Sequence, residues 1–100
     1  MDGLKFTFGV LKALETRAGN TSFEQLLITP TMANILLFVQ YGLGCTEEEA
    51  IAKIEEFLEG GKTLKDLFIL IYKSLQDGGF LDRAVDIEKL MSTRMEQSSI

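Results

Sequence analysis

Between residues 25 and 45 the chain reads QLLITPTMANILLFVQYGLGC, 21 residues without one charged side chain. This window constrains the fold more than any other feature, because its backbone polar groups must be paired and its side chains covered. It is a poor membrane span. Pro30, Asn34 and Gln40 interrupt it, and its dense part, residues 32–43, is twelve residues long, where a spanning helix needs about 20. A helix apolar nearly all round is instead central in its domain or covered from outside.

The punctuation around the window predicts helices joined by short turns. Leu4, Phe6 and Phe8 alternate with Lys5 and Thr7, the pattern of a short strand or extended arm reaching Gly9. From Val10 the period becomes helical, with Leu11 and Leu14 on one stripe and Lys12, Glu15 and Arg17 facing water, until Gly19-Asn20 stops it. Ser22 and Gln25 have capping-box spacing for a short helix carrying Phe23, Leu26 and Leu27. Pro30, behind Thr29 as cap, opens a helix to about Tyr41, where Gly42-Leu43-Gly44 breaks it.

Thr46 with Glu49 and Thr63 with Asp66 open two further helices by the same device, closed by Gly60-Gly61 and Gly78-Gly79. Ala50, Ile51, Ile54, Phe57 and Leu58 form the inner face of the first. Leu64, Leu67, Phe68, Ile71 and Leu75 form that of the second. Residues 80–95 read as a final helix with a weaker stripe, and residues 96–100 as a fraying tail. The expectation is a mainly α fold: one domain over residues 1–95, a compact bundle of about five short helices with a short N-terminal strand or extended arm.

Reactive chemistry is scarce. The chain has no histidine and one cysteine, Cys45, which rules out an internal disulfide and a thiolate cluster. Cys45 reads as a small hydrophobe with no base to complete a dyad. The glycine pairs follow helices and lack phosphate-loop spacing. No metal, cofactor or catalytic set is expected, so the reading is of a protein that is not an enzyme. The opening MDGLKFTFG lacks the basic flank and apolar run of a secretory signal, and the expected setting is a reducing, cytoplasmic one.

Charge is concentrated. The net charge of −5 resides in residues 46–60, where six glutamates face one lysine. Glu47, Glu48 and Glu49 favour the first turn of a helix through its dipole. Glu55, Glu56 and Glu59 lie on its polar face and are either solvated or a docking face for a basic partner segment. A helix–turn–helix over residues 47–76 would present this acidic helix to phosphates, and its second helix is crowded with Leu, Phe and Ile. Nucleic acid is therefore not an expected partner.

The apolar surplus points elsewhere. Residues 30–41 offer only Thr31, Asn34 and Gln40 as polar side chains, and Ile69, Leu70 and Tyr72 widen the apolar face of residues 64–76. Two such helices are hard to bury in a domain of this size. Another chain is expected to cover part of them, with Leu37, Phe38, Tyr41, Ile69 and Tyr72 as candidate anchors.

The opening LKFTFGVLKALETRAG resembles that of small tail assembly chaperones of long-tailed (siphovirus-type) phages and prophages, through Lys5, Phe6, Phe8, Gly9, Leu11, Leu14 and Glu15. The later layout is similar too: an uncharged helix near NILLFVQYGL, an acidic helix after TEEEA, then LKDLFILIYKSLQDGGF. The likeness covers about residues 4–80 and rests on order and texture. It implies a protein of the host cytoplasm, absent from the finished virion. Such a protein coats the tape measure protein, self-associates along it and helps tail tube protein polymerise around it. In many members a longer frameshifted form recruits the tube protein. Readings from other classes are a head–tail joining or tail component retained in the particle, and a small regulatory or DNA-binding protein.

Overall fold

In the computed structural model, which describes residues 1–82, every helix starts behind a hydroxyl. Thr7 precedes α1 (Phe8–Arg17), Ser22 precedes α2 (Phe23–Ile28) and Thr31 precedes α3 (Met32–Leu43). Thr46 precedes α4 (Glu47–Glu59) and Thr63 precedes α5 (Leu64–Asp77). Each hydroxyl accepts the backbone N–H three residues on, satisfying a donor the helix itself leaves open. At Thr46 and Thr63 the box closes reciprocally through Glu49 and Asp66. Its hydrogen bonds with Thr63 hold the Asp66 carboxyl below its ordinary value of 3.8. The result is the expected mainly α bundle of five short helices.

Several boundaries differ from the sequence-based expectation. Of the two forms expected for the N-terminus, strand or arm, residues 1–7 take the arm, and no strand forms among the described residues. Helix α1 starts at Phe8, ahead of Val10, because the Thr7 hydroxyl accepts the Val10 N–H at 3.2 Å. Helix α3 starts behind Thr31, with Pro30 left in the connector outside the first turn. The reason lies in Asn34, whose side-chain amide donates to Thr29 C=O at 2.7 Å and to Leu26 C=O at 3.4 Å. The end of α2 thus finds its missing donors on α3, and Thr29 belongs to that corner. The helix expected over residues 80–95 and the tail over 96–100 lie outside the described residues, except that residues 80–82 are non-helical.

Helix α3 occupies the middle, packed on α1, α4 and α5. Its Phe38 and Val39 join Leu14 of α1 and Leu67, Ile71 and Leu75 of α5 in a fully enclosed core. Gly42 sits inside α3, and only Gly44, at φ 68°, ends it. The arm explains this. Phe6 is buried edge-on to Phe38, ring centroids 6.1 Å apart at 74°, while the Lys5 N–H donates to the Gly42 carbonyl at 2.9 Å. A Cβ on Gly42 would lie 2.7 Å from Leu4 Cδ2 and 2.8 Å from Phe6 Cζ. On the other side, a Cβ on Gly78 would lie 2.8 Å from the Phe6 carbonyl oxygen. Two glycines, at the C-terminal ends of α3 and α5, let the arm pass between them.

Glu15 also departs from expectation. Instead of facing water it is half-buried, and its Oε2 accepts the Phe23 N–H at 2.7 Å. A carboxylate on α1 therefore caps the first turn of α2.

Two predictions follow from these contacts, both read from urea unfolding midpoints. Gly42→Ala should lose about 1 kcal/mol net, an overpacking cost of about 1–3 kcal/mol less about 0.5–1 kcal/mol of helix gain. Gly78→Ala should lose more, since its obstacle is a backbone oxygen that side-chain rotation cannot move. Glu15→Ala should cost about 1.5–3 kcal/mol, the value of a hydrogen bond to a charged group, whereas Lys12→Ala on the exposed side of α1 should stay within about 0.5 kcal/mol.

Candidate functional site

The uncharged helix is enclosed along most of its length but not at its start. Met32 is 76% exposed, and Ile28, just before it, is 62% exposed. Beside Met32 a groove runs between α3 and α4 towards the first turn of α5. Ile35 and Leu36 form one wall, Ile51, Ile54 and Leu58 the other, and Leu64 closes the end. Glu55 is the only charged side chain in the lining.

The α4 wall is only partly covered. On α4 only Ala50 is fully buried. Ile54, Phe57 and Leu58 stay half-buried and Ile51 is 41% exposed. The groove volume of about 240 Å³ falls short of the roughly 300–1,000 Å³ typical of small-molecule sites. The apolar arc of α4 visible in the sequence, Ala50, Ile51, Ile54, Phe57 and Leu58, does not by itself tell which of its members stay open.

The expected anchors do not form one surface. Phe38 and Tyr72 are 1% and 6% exposed, so the expectation that they present an open face is corrected. Phe38 meets Phe6, and Tyr72 lies 5.2 Å from the Phe68 ring. Leu37 and Ile69 are half-buried against the core. Tyr41 lines a separate hollow between α1 and α3, with Gly9, Val10, Ala13, Gln40 and Cys45. That hollow lies on the α1 side of α3, away from the groove of Met32 and Ile51 between α3 and α4.

The acidic set is also divided. Glu55, Glu56 and Glu59 are all exposed. Glu55 lines the groove, and Glu59, four residues on, shares its face. Glu56 instead lines a hollow on the far edge of α4, with Met1, Asp2, Lys53 and Lys62. There the charges are mixed.

Among the described residues no group of three or more His, Cys, Asp or Glu side chains is placed to hold a metal ion. No described helix is long and apolar enough to cross a membrane. Burial pushes the Cys45 thiol above its ordinary value, and the Glu49 carboxylate pushes it the same way. A protonated thiol is a weak nucleophile. No family model, curated protein or solved structure matches this chain.

Cys45 should accordingly react with a disulfide reagent at pH 8 several-fold more slowly than free cysteine. Unfolding in urea should restore the ordinary rate, as followed by thiolate release.

Proposed function

We propose that this protein is a tail assembly chaperone of a long-tailed phage or prophage, which binds the tape measure protein and keeps it soluble until tail tube protein polymerises around it. The observation that carries the reading is the open groove of Met32, Leu36, Ile51, Ile54 and Leu58 beside the acidic helix α4. An apolar groove of this kind accepts the apolar stripe of a helix. The surrounding charge keeps the pair dispersed. The resemblance carried by Lys5, Phe6, Phe8, Gly9, Leu11, Leu14 and Glu15 supports the choice of this family.

Magnitudes favour a holder that lets go. Covering roughly 400 Å² of apolar surface gains about 10 kcal/mol gross. Association costs of about 4–15 kcal/mol leave little net affinity per site. Several copies along one long client would hold it by avidity, and each would still release quickly. In this reading the protein acts in the host cytoplasm and leaves before the virion is complete. Self-association and recruitment of tube protein by a longer form complete the proposed cycle.

The test is co-expression with the tape measure protein of the same genome. The wild-type chain should move the client from the pellet to the soluble fraction. Ile51→Asp, at an exposed groove position, should abolish that effect while circular dichroism shows the helices intact. If the client stays insoluble with the wild-type chain, or stays soluble with Ile51→Asp, the proposal fails.

A further inference from the structure

The two long walls of the groove are unlike in charge. The α3 wall belongs to the 21-residue stretch without charge, so Met32 and Leu36 have no ionic neighbour on their own helix. The α4 wall is edged by Glu55, with Glu59 one turn after it and Glu48 two turns before it, all three exposed. Lys53, the one cation of α4, is turned to the opposite edge, where it lines the hollow with Asp2 and Glu56. The acidic edge of the groove therefore receives no compensating charge from its own helix.

We infer that the groove takes an amphipathic helix of a partner protein whose apolar stripe is bordered by Lys or Arg along one edge only. The inference rests on the reading that this groove holds a helical client and adds the chemistry by which that client is chosen. The walls from Ile51 to Leu58 span about 10 Å, two turns of helix, so the occupant presents apolar residues at i, i+3 or i+4, and i+7. Its basic edge lies along α4, within reach of Glu48, Glu55 and Glu59. Its other edge lies along α3, where a charge would find no counter-charge on that helix. Because only one wall is acidic, a helix with one basic edge fits in a single direction. Turning it end for end would put its cations against the uncharged wall. The asymmetry sets the polarity of the bound helix as well as its composition.

The experiment uses the full chain and three fluorescent helical peptides that share one leucine stripe and differ along one edge, carrying Lys, Gln or Glu. Anisotropy titrations are run at 50 and 500 mM salt. The Lys-edged peptide should bind about tenfold more tightly than the Gln-edged one at low salt, and the difference should shrink at high salt, where exposed charges are screened. The triple substitution Glu48→Gln, Glu55→Gln and Glu59→Gln should erase the preference and leave the Gln-edged peptide's affinity unchanged. Ile51→Asp should weaken the Lys-edged and Gln-edged peptides alike.

Equal binding of Lys- and Gln-edged peptides to the wild-type chain overturns charge selection and leaves helix holding intact. Failure of all three to bind overturns both. A third result also overturns the inference: sedimentation showing an oligomer that Ile51→Asp dissociates and the peptides do not, which would give the groove to a second copy of the chain.

Discussion

The fold depends on one aromatic side chain arriving from outside the helices. Phe6, on the extended arm, fills the space between the C-terminal ends of α3 and α5 and meets Phe38 edge-on. A bundle of helices this short has few layers, and an unfilled gap at one end would leave Phe38 and its neighbours without contacts. The arm can enter only because Gly42 and Gly78 carry no side chains. Three separated pieces of sequence thus form one joint, supported by a backbone hydrogen bond from Lys5 to Gly42.

That joint also settles the difficulty posed by the uncharged helix. Its C-terminal half is sealed by the arm and the core, which is why Phe38, Val39 and Gly42 are buried. Its N-terminal turn lies beyond the arm's reach, close to the corner where Asn34 reaches back to α2. There Met32 stays open. The apolar surplus is real but smaller and placed elsewhere than counting residues suggests: α5 is mostly enclosed, and the open part is shared between the start of α3 and one side of α4.

Much of the local structure was legible because it is decided within a few residues. Thr46 with Glu49, Thr63 with Asp66, and Ser22 with Gln25 announce helix starts through bonds spanning three positions. Gly19-Asn20 marks a stop, and both residues adopt positive φ. Where the structure departs from the local pattern, a contact from far along the chain overrules it. Gly42 looked like a breaker and is a packing site. Glu15 looked solvated and caps another helix. Phe38 and Tyr72 looked like interface aromatics and are core. The groove was harder still, since it depends on how α3, α4 and the first turn of α5 sit together, and no periodicity encodes that arrangement.

The amino-acid sequence on its own determined the helical class, the helix starts behind Ser22, Thr46 and Thr63, the absence of histidine and the concentration of negative charge on residues 46–60. These are properties of single residues or of neighbours within one turn. The tertiary structure alone decided which apolar side chains stay open, which glutamates border them, and on which side Lys53 falls. Burial is a relation between surfaces brought together by the whole chain, and a helix has no means of specifying from its own residues which part of its apolar face its neighbours will leave bare.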